Sequence, residues 1–201
     1  MSKVENVDEK NSGFSENDKP LLLLDIDGVL NAYGRTYLDA DAAERQHDDK
    51  YYQAVAEGYL LFLHKNHAEY VEELESRFEV MWATMWQWRA PRFGEVAGYG
   101  QSWDFINFDL IRGRTAQSRE IGMRGAGVGS YKWPGVLHTA ADRPFVWIDD
   151  DLEPWQHAWA EERHRAGTGT LFIQPNIWEG LTREHVNTAV NFADSLMSQT
   201  R

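Results

Sequence analysis

The fold is decided by Leu21-Leu22-Leu23-Leu24-Asp25-Ile26-Asp27-Gly28-Val29-Leu30-Asn31, an apolar run that leads into two carboxylates and a glycine. A short continuous apolar run beside turn residues is typical of a fully buried strand. In an open parallel sheet, ligands bind at the carboxyl ends of such strands. We therefore expect Asp25 and Asp27 to lie at a binding site at the end of a buried strand.

The two carboxylates predict a metal site. Like charges this close in the chain repel each other unless a cation compensates, and a hard divalent cation with oxygen ligands is the natural candidate. Gly28 allows a sharp bend after Asp27 and frees backbone N–H groups to face an anion such as phosphate. Taken alone, an Asp-x-Asp pair is also typical of a solvated strand end, and that alternative stays open.

Length and composition predict a single α/β domain, because 201 residues suffice for one substantial core but not for two large ones. The sequence has no cysteine, which excludes disulfides, thiolate zinc sites and a cysteine nucleophile. A reducing compartment is compatible with this, and we expect a cytoplasmic protein. No apolar stretch is long enough for a membrane span, and no signal-peptide pattern is present, so we expect no membrane partner.

The formal net charge of -12 argues against strong nonspecific binding to nucleic acid. A group of arginines in the central stretch forms either a positive rim near the site or an ordinary charged surface. These residues are Arg89, Arg92, Arg112, Arg114, Arg119 and Arg124.

Residues 1–19 are polar and predict a flexible tail. The stretch from Tyr33 to Lys50 carries an acidic cluster that lacks the glycine and the ligand spacing of a calcium loop, so a solvated loop is favoured. Its members are Asp39, Asp41, Glu44, Asp48 and Asp49. Residues 51–65 predict a hairpin around Gly58.

Strands and helices are predicted to alternate along the rest of the chain. The ranges are a helix over 66–77, a strand over 78–83, a strand over 103–108, a helix from Trp133, a strand over 144–148, a helix around 155–162, a strand over 170–174 and a helix over 182–197. Pro134 is expected in the first turn of its helix, with Lys132 just before it. The alternation predicts a three-layer, Rossmann-like parallel sheet covered by helices on both faces.

Chemistry-bearing residues recur at the ends of these elements. Asp25 and Asp27 follow the first strand, Thr84 follows the second, Lys132 precedes a helix, and Asp149 follows a later strand together with Asp150. Each has a simpler alternative. Thr84 is then a hydroxyl at a strand end, Lys132 a solvated lysine, and the acidic run a helix-capping turn.

The first motif resembles that of the haloacid dehalogenase (HAD) superfamily, in which an apolar strand is followed by Asp-x-Asp-Gly-Thr or Asp-x-Asp-Gly-Val. The chain order of Asp25 with Asp27, Thr84, Lys132, and Asp149 with Asp150 is also the order of the four motifs of that superfamily. The resemblance implies a HAD-like α/β domain over residues 20–198, with a small cap or flap inserted at about 33–63.

The resemblance further implies a Mg²⁺-dependent phosphatase that works through an aspartyl-phosphate. Asp25 is then the nucleophile, and Asp27 is the general acid and base. Thr84 then hydrogen-bonds a phosphate oxygen, and Lys132 neutralises the charge shared by Asp25 and the phosphoryl group, beside the backbone of Gly28.

Metal ligands follow from the same resemblance. They are Asp25, the backbone carbonyl of Asp27, and one carboxylate of the later pair, for which Asp150 is preferred and Asp149 would support it. Without the resemblance, the choice between these two residues stays open.

Two short segments, Trp82-Ala83-Thr84-Met85-Trp86 and Trp147-Ile148-Asp149-Asp150, resemble the HAD domain of "Swiss army knife" RNA-repair proteins. This implies a nucleotide or a nucleic-acid end as the phosphorylated substrate, with Trp86 or Trp88 stacking on a base. Ordinary packing is the alternative for most tryptophans. A small cap favours a bulky substrate, whereas the negative net charge opposes a polynucleotide.

Two other functions remain open at this point. The chain could be a catalytically silent HAD-fold binding module, or a phosphotransferase to an acceptor other than water. The same residues would serve all three functions, because access decides which acceptor reaches the site.

Overall fold

The computed structural model describes residues 19–36, 48–112 and 128–199. The strands are β1 (Leu21–Leu24), β2 (Tyr51–Ala56), β3 (Tyr59–His64), β4 (Glu79–Trp82), β5 (Phe145–Ile148) and β6 (Thr170–Ile173). The helices are α1 (His67–Arg77), α2 (Ala90–Ala97), α3 (Phe108–Arg112), α4 (Val128–Ala140), α5 (Pro154–Arg165) and α6 (Arg183–Gln199).

Four strands form an all-parallel sheet in the order β4-β1-β5-β6. β1 lies inside the sheet, and its four leucines have no exposed surface. Leu22 and Leu24 pack in one apolar cluster with residues of α1 and α6, while Leu21 and Leu23 pack in a second cluster with residues of α4 and α5. This alternation follows from the two-residue period of a strand. The α/β class and the Rossmann-like layout predicted from sequence are confirmed.

The hairpin predicted around Gly58 is formed by β2 and β3. Glu57 and Gly58 both have positive φ angles, 51° and 82°, which matches the two-residue turn preferred by twisted hairpins. The hairpin is hydrogen-bonded to the segment that follows β1 in the chain, because the N–H of Ala32 donates to the carbonyl of Phe62 at 3.0 Å. That the hairpin acts as a flap over the site stays a prediction.

The predictions for two segments were wrong. Residues 103–108 form no strand: Phe105 makes only an isolated bridge to Trp82, and Phe108 begins α3. Helix α4 begins at Val128 and not at Trp133, so Lys132 and Pro134 lie inside it. Packing of the helix on the sheet therefore outweighs the preference of proline for a first turn, although Pro134 cannot donate a helical hydrogen bond.

Helix α2 was not predicted, although its ends carry recognisable signals. Pro91 lies in its first turn, and Gly98 ends it with a left-handed φ of 85°. Asn66, the residue directly before α1, makes no side-chain capping hydrogen bond.

Some sequence predictions lie outside the described residues. These are the tail up to residue 18, the acidic residues Asp39, Asp41 and Glu44, and the arginines Arg114, Arg119 and Arg124. Among the helices that are described, none combines the length and apolar character needed to cross a membrane.

Candidate active site

The sheet brings the predicted acidic residues together at one edge. Leu24 of β1 lies opposite Trp82 of β4 and Ile148 of β5. The ladder continues past these residues, because the N–H of Asp25 donates to the carbonyl of Ile148 at 3.0 Å. Since the strands are parallel, the residues that follow them emerge at the same edge.

Three carboxylates form an acidic cluster at this edge, consisting of Asp25, Asp149 and Asp150. Each offers an oxygen atom, and these atoms all lie within 4.8 Å of one another. Asp25 and Asp149 are buried, and Asp150 is partly buried. Residues separated by more than 120 positions in the sequence thus share one site.

Lys132 is buried at the acidic cluster and bridges two of its members. Its Nζ donates to Asp25 Oδ2 at 2.6 Å and to Asp149 Oδ2 at 2.7 Å. Burial by itself would lower the pKa of Lys132, but the charges of Asp149 and Asp25 outweigh it and raise this pKa above its ordinary value. The side chain therefore carries a fixed positive charge in the site.

Negative charge remains in excess despite this ammonium group. Burial, together with repulsion from Asp25 and Asp149, raises the pKa of Asp150 to about 7. Burial also raises the pKa of Asp149, although the nearby charge of Lys132 acts in the opposite direction. An all-oxygen donor set with uncompensated charge fits a hard divalent cation such as Mg²⁺.

The two aspartates after β5 differ in their partners. Asp149 accepts from Lys132 through one oxygen and from the N–H of Asp151, at 3.1 Å, through the other. Within the described residues, the carboxylate of Asp150 accepts no hydrogen bond from another side chain, and it faces Gly28. Asp150 is therefore the more available of the two as a ligand.

Asp27 lies beside the acidic cluster but is held by different partners. Asn31 Nδ2 donates to its Oδ1 at 2.7 Å, and the indole N–H of Trp86 donates to its Oδ2 at 2.8 Å. Burial raises the pKa of Asp27, more than these two hydrogen bonds lower it. The carboxyl is thus oriented by neutral donors and has an increased tendency to hold a proton.

Sequence reasoning missed the role of Asn31 and assigned a different one to Trp86. The ring of Trp86 is only 9% exposed and packs against Phe93 and Tyr59, which leaves little of it for stacking on a base. Trp88 is 65% exposed. The available signal for Asn31 was its position four residues after Asp27, within the same turn.

Gly28 and Thr84 complete the set of predicted residues. Gly28 has φ 77°, and a Cβ atom at this position would lie 2.2 Å from Asp150 Cγ, so only glycine fits. Its own N–H donates to the carbonyl of Asn31 at 2.8 Å, so this amide is not free to bind an anion, contrary to expectation. Thr84 is buried beyond the end of β4, and its hydroxyl accepts a long contact of 3.4 Å from the N–H of Trp86.

Two of the central arginines have partners away from the acidic cluster. Arg92 pairs with Glu95 at 2.9 Å, and Arg89 lies 5.0 Å from the ring centre of Trp88. Both are exposed, and these contacts leave the two sequence interpretations of the central arginines open.

Comparison of the chain with protein-family models, with curated proteins and with solved structures returns no match.

Proposed function

We propose that the protein is a Mg²⁺-dependent phosphohydrolase that acts through an aspartyl-phosphate on Asp25. One observation carries the proposal: the ammonium group of Lys132 binds Asp25 inside a cluster of three carboxylates at the end of a central strand. This combination provides a nucleophile, a fixed positive charge and oxygen ligands within one site.

Asp25 is well placed to act as the nucleophile. Its Oδ2 accepts from Lys132, and its Oδ1 accepts from the N–H of Ile26 at 2.8 Å. These bonds fix the orientation of the carboxylate. An oxygen of Asp25 forms a bond to phosphorus while the bond between phosphorus and the leaving oxygen breaks.

Asp27 handles the protons of both steps. Its raised pKa increases its tendency to hold a proton, and in this mechanism the protonated form gives that proton to the leaving oxygen. The resulting carboxylate then takes a proton from the water that attacks phosphorus, and the bond from phosphorus to Asp25 breaks. Inorganic phosphate leaves, and Asp25 and Asp27 return to their starting states.

Asp25, Asp150 and the backbone carbonyl of Asp27 would hold the Mg²⁺ ion, with Asp149 and Lys132 supporting them. When bound, the ion would offset negative charge on the phosphoryl oxygens. Lys132 and the hydroxyl of Thr84 contribute to the same task from the protein side.

The substrate we propose is a phosphomonoester, either a small molecule such as a nucleotide or a nucleic-acid end. Between β1 and β4, the described residues form only the hairpin, α1 and a short turn at Tyr33–Thr36. Because the described residues form no large cap between these strands, we expect the site to accept substrates of varied size.

The test is release of phosphate from an aryl phosphate such as para-nitrophenyl phosphate. We expect turnover with Mg²⁺, its loss on chelation, and its loss in Asp25→Asn, because an amide cannot form the aspartyl-phosphate. The matched control is Asp142→Asn, an exposed residue in the turn after α4.

Three outcomes would contradict the proposal. Unchanged turnover by Asp25→Asn would remove the nucleophile. Stoichiometric binding of the phosphorylated compound without turnover would indicate a silent binding module. Transfer of the phosphoryl group to an added alcohol, with no free phosphate, would indicate a phosphotransferase.

A further inference from the structure

A pocket of about 460 Å³ lies at the base of the hairpin, and its walls contain none of the residues of the acidic cluster. Arg35, Lys50, Tyr51, His64 and Lys65 line it, together with residues of the loop before α6. Its volume falls within the range of roughly 300–1,000 Å³ that is usual for small-molecule sites.

Two lysines face each other across the hairpin at the pocket. Tyr51 lies opposite His64 in the ladder, and the N–H of Lys65 donates to the carbonyl of Lys50 at 2.9 Å, so the lysines are the next pair. Directly opposite side chains have Cβ atoms about 4.5–5.5 Å apart, and like charges there are destabilising. The described residues form no ion pair with either lysine. The nearby charge of Asp48 offsets part of the charge of Lys50, but neither lysine is neutralised by such a pair.

The other charged side chains of the pocket are largely balanced. Arg35 pairs with Asp48 at 3.3 Å. Arg183 pairs with Glu69 and Glu73. Glu179 also lines the pocket and carries one negative charge, against the two positive charges of the lysines. The excess positive charge therefore comes from Lys50 and Lys65.

His64 adds a neutral donor to this wall. Burial and the nearby charge of Lys50 lower the pKa of His64, so the ring is neutral at pH 7. Its Nδ1 accepts from the N–H of Asn66 at 3.1 Å, which places the ring proton on Nε2. Hydrogen bonding and positive charge are thus available to the same ligand.

The pocket and the acidic cluster are lined by different residues, since none of Asp25, Asp149 and Asp150 lines the pocket. The hairpin contacts the surroundings of Asp27 at two points. Tyr59 contacts Trp86, which binds Asp27, and the N–H of Phe62 donates to Asn31, which also binds Asp27. A ligand in the pocket would therefore not occupy the acidic cluster, although β3 connects the two places.

We propose that this pocket binds a small phosphate-type polyanion at a site separate from the acidic cluster. The anion lies between Lys50 and Lys65 and relieves their mutual repulsion, with His64 as a hydrogen-bond donor. The inference is independent of the proposed phosphatase activity.

The test uses pyrophosphate as the probe and isothermal titration calorimetry at low ionic strength. The protein is freed of metal on a chelating resin, because a soluble polyanionic chelator would compete for the pocket. We expect binding by the wild type and at least a tenfold loss of affinity in the double variant Lys50→Met, Lys65→Met. Lys19→Met, at a position before β1 that does not line the pocket, is the matched control and retains the wild-type affinity.

Thermal unfolding gives an independent readout. Pyrophosphate raises the Tm of the wild type but not of the double variant. Without ligand, the double variant melts at or above the wild-type temperature, because a like-charge pair has been removed, and this shows that it folds. Its Mg²⁺-dependent phosphatase turnover stays unchanged.

Several results would overturn the proposal. These are no binding of pyrophosphate to the wild type, equal binding by the double variant, and loss of binding in Asp150→Asn, which would place the anion at the acidic cluster. Binding of a single-stranded oligonucleotide without binding of pyrophosphate would instead indicate a polymer surface.

Discussion

At Lys132 a single buried ammonium group holds two carboxylates that come from different strand ends. An ion pair of this kind is costly to break from one side, because the remaining charges have neither water nor a partner. The residue therefore contributes to the stability of the fold as well as to the proposed chemistry.

Replacing Lys132 by Met should lower the free energy of unfolding by about 3–5 kcal/mol, the usual cost of leaving a buried charge without its partner. Urea unfolding at pH 7 measures this change. Lys19→Met is the control, because the side chain of Lys19 donates an exposed hydrogen bond to the carbonyl of Glu75. A loss below about 1 kcal/mol would show that water reaches the carboxylates.

The free energy of unfolding depends on pH through the protonation of His67. Burial lowers its pKa to about 3 from 6.5, while a hydrogen bond from Nε2 to the carbonyl of Leu181 at 3.2 Å offsets this only in part. Between these two pKa values the unfolded chain binds a proton that the folded chain does not. Stability from this residue is therefore full above pH 6.5 and falls as the pH drops toward 3.

Below pH 6.5 the free energy of unfolding should fall less steeply with decreasing pH in His67→Gln than in the wild type. The expected difference in slope is up to about 1.4 kcal/mol per pH unit. Urea midpoints at pH 7 and pH 5 give the comparison. His138→Gln, at an exposed position of α4, should leave the slope as in the wild type. Identical slopes for the wild type and His67→Gln would contradict the interpretation.

At the scale of elements, β1 is covered on both faces, and its side chains have no solvent-exposed surface. Leu23→Ala should therefore cost about 2–5 kcal/mol, the sum of lost apolar burial and of a cavity that the sheet cannot close. Chemical denaturation is the measurement. The control is Leu110→Ala in α3, where half of the side chain is exposed, and a change within about 0.5 kcal/mol is expected there.

The strands were readable from sequence because parallel buried strands are continuous apolar runs. β1 and β5 follow this pattern throughout, whereas β4 and β6 have three apolar residues after Glu79 and Thr170. The start of α4 was not readable, because Gly129 and Pro134 are poor helix formers. Contacts of Trp133 with Trp147, Trp155 and Trp159 hold this helix on the sheet, and such contacts are set by tertiary packing alone.

The same distinction applies to the candidate site. The meeting of Asp25, Asp149 and Asp150 could be predicted, since the ends of parallel strands share an edge. The contacts of Lys132 and Trp86 could not, because they depend on how a helix and a loop lie over that edge.

For the whole molecule, the acidic cluster links metal binding to stability. Under the proposed function, Mg²⁺ binds the folded chain and not the unfolded one, so a concentration 100 times the Kd adds about 2.7 kcal/mol. Differential scanning calorimetry should show a Tm that rises with Mg²⁺. Asp150→Asn should abolish the rise, whereas Asp142→Asn should keep it. An equal rise in both variants would place the ion elsewhere.

Asn31 connects parts of the molecule that the chain order keeps apart. Its Oδ1 accepts from the N–H of Phe62 in the hairpin at 2.9 Å, while its Nδ2 holds Asp27. Rotation of this one amide would break both bonds together. The deuterium uptake of the Phe62 amide therefore reports the orientation of the Asp27 carboxylate, although the two groups are not in contact. Hydrogen–deuterium exchange mass spectrometry can follow this uptake without any substrate.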